Sequence, residues 1–464
     1  MISTEKDTQS LELQLESLAP YLAQRRQNLA QRFSPAALLW SGQPVARNFP
    51  ANTYPFRASS HFLYFAGLSL PHAAIHLEAG QLTLFMDDPD PGDALWHGPT
   101  PSREAIATAM GALAAYPLAD LERYRQNAAT LPGQANSPLG SDNPSSPALN
   151  QALAEAIVEL RLYHDDAALG AITQAAAVSV QAHRAGMAAT STATAAAQVR
   201  AAMEQVILAH NMTCAYNSIV TPHGEVLHHQ QYHQALHPGD LLLADVGAET
   251  VSGWASDITR TWPVTGHFSP PQRDIYDIVL AAHDACIAAA KPGVEYRDLH
   301  LLACRTLAEG LVEVGLLKGH PEDLVERDVH GLFFPHGLGH LLGLDVHDME
   351  DLGDLAGYAP GRRRSDRFGL CFLRLDRPLA AQMVVTIEPG FYQVPGILTP
   401  ARRSGQFDDA VNWERLAQFQ TVRGLRIEDD VLITPTGCEV LTAALPTQAN
   451  AIEAWVQSTP DSAS

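Results

Sequence analysis

The chain has 464 residues, 46% of them hydrophobic, which is the length of two to three domains and the composition of an ordinary soluble globular protein. Thirty Lys and Arg against 51 Asp and Glu leave a formal charge of -21, and the longest basic run is Arg362-Arg363-Arg364, so a nucleic-acid partner is excluded by repulsion. The five cysteines (Cys214, Cys286, Cys304, Cys371, Cys438) are scattered and never form a CxxC pair, which argues against a disulfide scaffold or zinc ribbon and fits a reducing, cytoplasmic setting.

The N-terminal stretch carries charges throughout and no continuous apolar core, so no secretory signal is expected. No segment reaches the roughly 18 to 20 apolar residues of a membrane span, which excludes a membrane partner of that kind. Leu11 to Phe33 reads as a helix. Strands are predicted at Ala36–Trp40, His72–Leu77 and Leu82–Met86, the last two joined by a turn at Glu78-Ala79-Gly80-Gln81, so the start of the chain is an α/β unit. The Pro/Gly/Ser/Asn run between Thr130 and Pro147 is predicted to be a linker. The expected domains are 1–155, 156–450 and a tail, 451–464. The Ala-rich stretch from Leu149 to Asn211 is helical in pattern, interrupted near 191–194, and opens the second domain. Short β segments at Asp240–Gly247, Trp254–Val264, Met383–Tyr392 and Leu425–Thr434, with helices over Pro271–Leu317, predict an α+β fold with an antiparallel core. No tandem repeat of 20 to 50 residues is present.

Polar residues interrupt these β segments in a telling way. Asp245 ends the apolar run of LLLADVGAE, and Asp257 stands in the next strand, GWASDITRTW. In a hairpin turning near Val251 the two carboxylates are roughly opposite, with Cβ atoms about 4.5–5.5 Å apart, and repel unless a cation lies between them. Each alone reads equally well as a turn aspartate. In His336-Gly-Leu-Gly-His340 the glycines disfavour a helix, and an extended chain puts both histidines on one face; His347 follows closely. A lone histidine is more often a core or surface residue, but three at this density resemble ligands. Glu388 ends the run MetValValThrIle, while Glu428 shares a strand face with Arg426, a pair that a salt bridge alone would explain. Together, four carboxylates and one imidazole form a hard donor set suited to Mn2+ or Co2+, with Fe2+ and Zn2+ as alternatives. Four negative charges neutralise two dications, and two metals about 3.5–4 Å apart activate a water and hold the carbonyl it attacks.

The strings ADVGAE, ASDITRTWPV, PHGLGHLLGLDVHD, TIEPGFY and GLRIEDDVLIT resemble the pita-bread metallopeptidases that cleave Xaa-Pro bonds, aminopeptidase P and prolidase, over about residues 160 to 445. The segment ARNFPANTYPFRASSHFLYFAGL is similar to their creatinase-like N-terminal domain. The resemblance implies a pita-bread catalytic domain and two divalent metals, best Mn2+. It implies that Asp245 binds one metal, Asp257 and Glu428 bridge both, and His340 and Glu388 complete the other. Glu388 would also take a proton from the attacking water, His347 steady the tetrahedral intermediate, and His336 position or shuttle protons. His228 would line the proline pocket, with Tyr392 and Arg426 facing the substrate site. A homodimer is implied as well.

Within that family a dipeptidase must hold the free carboxylate of its substrate, and arginine is the expected clamp. Arg374, in GLCFLRLDRPL, resembles the prolidase arginine, whereas Tyr54-Pro55-Phe56-Arg57 looks more like aminopeptidase P. The expected activity is hydrolysis of N-terminal Xaa-Pro bonds, with dipeptides included and expected as a preferred substrate. The alternatives are a strict Xaa-Pro dipeptidase with an organophosphate-hydrolysing side activity, a methionyl aminopeptidase, and a metal-free peptide-binding module. The interval from Asp245 to Asp257 is one residue longer than expected, which predicts a bulge in the hairpin. The residues between Asp348 and Arg374 align with no family pattern. The stretch 394–412 is predicted to be an exposed loop that helps close the site.

Overall fold

The apolar run Ala36–Trp40 forms strand β1, buried at every position, and pairs antiparallel with β2 (Ala74–Glu78). A tight turn leads into β3 (Gln81–Phe85), and there Ala79 and Gly80 hold φ of 48° and 78°, the positive angles a two-residue hairpin turn requires. Strands β4 (Ala114–Tyr116) and β5 (Ala128–Ala129), too short to show a periodicity, add in parallel at the edges, giving the order β4-β3-β2-β1-β5. The computed structural model describes Leu15 and residues 17–98, 100–131 and 146–457. The helix expected from Leu11 is seen as α1 (Ala19–Arg32); residues 11–14 and 16 lie outside the described residues, as do 132–145 of the expected linker.

The chain forms two compact units, Met1–Ala167 and Ala168–Ser464. The first extends past the expected division because α2 (Pro147–Arg161) buries Leu153, Ile157 and Leu160 and packs against α1 and β5. Next come α3 (Asp166–Thr190) and α4 (Ala196–Ala209), separated where the Ser/Thr stretch interrupts the alanines.

In the second unit β6 (Ile219–Thr221), β7 (Leu241–Asp245) and β8 (Thr259–Pro263) form an antiparallel sheet ordered β8-β7-β6. Helices α5 (Pro270–Ala289) and α6 (Tyr296–Glu313) pack on one another through apolar faces. The two later β segments are each broken in two. Strands β9 (Val384–Ile387) and β10 (Gly390–Tyr392) part at Glu388-Pro389, and β11 (Gly424–Arg426) and β12 (Asp429–Ile433) part at Ile427-Glu428. Pro389 has no N–H to continue a ladder, and the N–H of Glu428 bonds instead to the carbonyl of Thr259 at 3.0 Å. Hence β9 pairs with β12, β10 pairs with β11, and the bridge Thr259↔Glu428 links the two regions. Strand β13 (Cys438–Val440) extends β12.

Four expectations are corrected. The β7–β8 hairpin has one register throughout, Asp245↔Thr259 and Glu249↔Ala255, so no residue is inserted and no bulge forms. Asp257 therefore sits diagonally from Asp245 on the same face rather than opposite it. Between these pairs Gly247 lies close against the other arm: a Cβ on it would meet the Ser256 carbonyl oxygen at 1.8 Å. The stretch expected as an exposed loop contains a helix, α7 (Pro395–Ser404), and the expected tail contributes to α8 (Ala449–Gln457), whose Ile452 and Val456 share a buried face. Among the described residues no helix is long and apolar enough to cross a membrane.

Candidate metal centre

The carboxylates converge because each stands where a ladder stops. Asp245 ends β7, Asp257 follows the pinch at Gly247, and Glu388 and Glu428 occupy the two strand breaks. His340 comes from a segment that runs beside β9: Thr386 donates to the His340 carbonyl at 3.0 Å, and Glu388 donates to that of Leu338 at 2.8 Å. His340 Nδ1 is 3.0 Å from the Leu341 carbonyl oxygen, which leaves Nε2 to face the acids. Nε2 lies 3.4 Å from Asp257 Oδ2, 3.8 Å from Glu388 Oε1 and 4.0 Å from Glu428 Oε1. Ligand atoms of Asp257, His340 and Glu428, all buried, fall within 4.8 Å of one another.

Groups that no motif pointed to hold these acids in place. The Tyr216 hydroxyl lies 2.5 Å from Asp245 Oδ1 and from Asp257 Oδ1. Thr259 Oγ1 donates to Glu428 Oε2 at 2.6 Å. Asp430 accepts from the backbone of Asp257 at 3.0 Å and from Ser256 Oγ at 2.7 Å. Thr259 was legible in principle, since strand alternation puts it on the face of Asp257. Tyr216 was not, because it lies in a loop distant in sequence.

Arg426, expected to face substrate, is buried among the acids. Its Nη2 lies 2.5 Å from Asp245 Oδ2, and it donates to Tyr392 Oη and Thr259 Oγ1, each at 3.0 Å. Tyr392 Oη is also 2.9 Å from His336 Nε2, so Tyr392 and His336 form one hydrogen-bonded wall. A cavity of about 440 Å³ opens above the acids, with His228, His336, His347, Phe372, Arg374 and Ile397 in its lining. His347 packs edge-on against His340, ring centroids 4.3 Å apart, and its Nδ1 lies 3.1 Å from Glu350 Oε2. Glu350 also pairs with Arg374, so that guanidinium already has an anionic partner. Val394 and Ile397 bring the start of α7 to the same cavity.

Burial governs the protonation. It raises Asp257, Glu388 and Glu428 well above the ordinary carboxylate range, and repulsion by neighbouring acids adds to the rise. Burial likewise lowers His336 to about 3 and His340 and His347 to about 4, so these rings are neutral near pH 7. His228 is lowered by burial and then by Arg426. Burial would raise Glu350, but His347 and Arg374 hold it down at about 2. A neutral imidazole with a free Nε2 beside crowded acids fits a divalent cation, which removes the repulsion that keeps the acids protonated. Metal uptake by the stripped protein is therefore expected to expel protons, with affinity rising as pH rises. Mn2+ titration in weak buffer should acidify the solution; a pH-independent affinity would mean the acids are already ionised.

Comparison with known proteins agrees with this architecture. The model of metallopeptidase family M24 matches residues 170–435, and that of the aminopeptidase P N-terminal domain matches residues 22–134. A probable Xaa-Pro aminopeptidase of Talaromyces stipitatus is 33% identical over 427 residues, spanning 87% of this chain and 88% of its own. Among solved structures, a substrate complex of Escherichia coli aminopeptidase P is 27% identical with a TM-score of 0.77, covering 94% of this chain and 97% of that one. Proline aminopeptidase P II of Yersinia pestis is 29% identical with a TM-score of 0.76, covering 94% and 98%. The chain thus belongs to metallopeptidase family M24, within its aminopeptidase P branch, and is a metallo-exopeptidase that uses divalent metal to hydrolyse N-terminal Xaa-Pro bonds.

Proposed function

We propose that the centre is dinuclear and holds two Mn2+ ions, that it prefers peptides of three or more residues, and that dipeptides are cut more slowly. The convergence of Asp245, Asp257, His340, Glu388 and Glu428 at the floor of one cavity carries this reading. Charge supports the count of two. Four carboxylates and the Arg426 guanidinium leave three negative charges; two dications turn this into one positive charge, which offsets the oxyanion of the reaction. The oxygen-rich donors favour Mn2+ or Co2+ over softer ions.

Bound metal would polarise the scissile carbonyl and make a water nucleophilic at neutral pH. Glu388 takes the proton of that water and passes it to the proline nitrogen as the bond breaks. This transfer is needed because that nitrogen is a tertiary amide without an N–H and leaves only once protonated. His347, its Nδ1–H given to Glu350, stabilises the tetrahedral oxyanion by taking a second proton from solvent as the negative charge develops, while His336, fixed through Tyr392, orients the substrate backbone. His228, Val394 and Ile397 line the space suited to the proline ring. Asp245, Asp257 and Glu428 would hold the metals, and Arg426 orients Asp245.

Length preference turns on Arg374. The carboxylate of an Xaa-Pro dipeptide must compete with Glu350 for this guanidinium, whereas a longer peptide makes no such demand. Release of alanine from Ala-Pro-Ala with Mn2+ is expected to outpace that from Ala-Pro, and a chelator should abolish both. Glu350→Gln should raise the dipeptide-to-tripeptide rate ratio. Cleavage of Ala-Pro alone would instead make the enzyme a dipeptidase with Arg374 as its clamp. The five free cysteines support a cytoplasmic location. The exposed Leu95 and Trp96 of the first unit offer an apolar contact for a homodimer.

A further inference from the structure

A second cluster of metal-ligating side chains lies behind the cavity wall. His300 and Cys304 are four residues apart on α6 and so share one face, and His330 meets them from the 3₁₀ turn Val329–Leu332. Their ligand atoms lie within 4.8 Å of one another. His300 and Cys304 are completely buried and His330 is 2% exposed. Cys304 Sγ is 3.5 Å from His300 Nε2, and the Gly369 carbonyl oxygen is 3.0 Å from that same nitrogen. Gly369 also approaches His330: a Cβ on it would come within 2.7 Å of His330 Nε2.

Three ring nitrogens here are left without a partner. Both ring nitrogens of His330 and Nδ1 of His300 are buried with no hydrogen-bond partner, a condition that costs about 1–3 kcal/mol per group. Burial lowers His300 to about 3 and His330 to about 4, so both rings are neutral and able to offer a lone pair. Two imidazoles and a thiol without a carboxylate are softer donors than those of the catalytic centre, and they select a different ion. Around tetrahedral zinc, nitrogen and sulfur ligands stand roughly 3.3–3.7 Å apart, a spacing the Cys304–His300 pair already has.

We propose that His300, Cys304 and His330 form a second, structural metal site for one thiolate-preferring ion, Zn2+ or Cu+, with the Gly369 carbonyl as a fourth donor. Binding deprotonates Cys304, and the proton leaves to solvent; nothing is oxidised or reduced. The site ties α6 to two segments that build the cavity wall. One runs from His330 through Phe334, whose ring lies 5.5 Å from that of His300 and 4.8 Å from that of His336. The other runs from Gly369 to Phe372 and Arg374, both in the cavity lining.

Cobalt distinguishes the two sites, because a thiolate-to-cobalt charge-transfer band requires sulfur and the catalytic centre has none. Full-length protein preloaded with Mn2+ should develop this near-ultraviolet band on titration with Co2+, saturating at one equivalent per chain. Cys304→Ser should lose it. Should that variant fail to fold, the wild-type protein still decides: Zn2+ or Cu+ should bleach the band, whichever does so naming the ion, and raise Tm by roughly 5 °C. Absence of the band in folded wild-type protein at saturating Co2+, its persistence in Cys304→Ser, or displacement by neither ion would overturn the assignment. A buried water filling the cluster would give the first of these results.

Discussion

Asp257→Ala and Glu428→Ala are each expected to lower kcat/KM by at least ~10³-fold and to lose bound metal in the same step. The two carboxylates lie 3.4 and 4.0 Å from His340 Nε2, and ligand atoms of the three residues lie within 4.8 Å of one another. Losing either one removes a donor from a buried site that cannot recruit a replacement. Metal catalysis is worth several kcal/mol of barrier, and each 1.36 kcal/mol is tenfold in rate. The neighbours add a signature. Asp257 and Glu428 repel each other in the stripped protein, so deleting one relieves the other and should make the metal-free fold more heat-resistant while abolishing catalysis. Metal analysis, kinetics and thermal melts on the same samples check this. Two retained metals in either variant would count against the dinuclear assignment.

Arg426→Met is expected to destabilise the metal-free protein by about 3–5 kcal/mol, the cost of leaving a buried ion-pair partner without its mate. Arg426 is 4% exposed and sits on Asp245, with Glu388 and Glu428 each 3.9 Å from its Nε. Its removal leaves four carboxylates with no buried cation among them. Their raised proton affinity sets the sign of the pH effect. A carboxyl whose folded value is raised stabilises the fold at low pH and loses that contribution as pH climbs through the raised value. The defect in the metal-free variant should therefore deepen as pH rises. Added Mn2+ should restore most of the lost stability, because dications supply the missing positive charge. Activity should remain depressed about 10²-fold in the loaded variant, since Tyr392 loses its donor and with it the fixed position of His336. Melting curves with and without Mn2+ across pH test both halves; a loss of stability indifferent to metal would reduce Arg426 to a packing role.

The sequence by itself determined the candidate ligand types and much of the scaffold. Carboxylates that end apolar runs at Asp245 and Glu388 conflict with burial unless something neutralises them, and that conflict is visible without coordinates. The apolar content of Ala36–Trp40 and Leu241–Asp245 likewise dictated strands, and the dipeptide Ala79-Gly80 a turn. Only the tertiary structure decided how these pieces meet. The diagonal placement of Asp257 follows from the register of the hairpin, which pairs Asp245 with Thr259 and which no periodicity records. The break at Ile427-Glu428 follows from which neighbour accepts each N–H. Tyr216, Thr259 and Asp430 became site residues, and Arg426 became the internal counter-ion, because distant segments came together. Local pattern reports which face of a strand a residue occupies, whereas partner identity depends on packing among segments far apart in the chain. The cluster of His300, Cys304 and His330 shows the same limit: the spacing of the first two residues is helical and ordinary, and only the fold brings the third within reach.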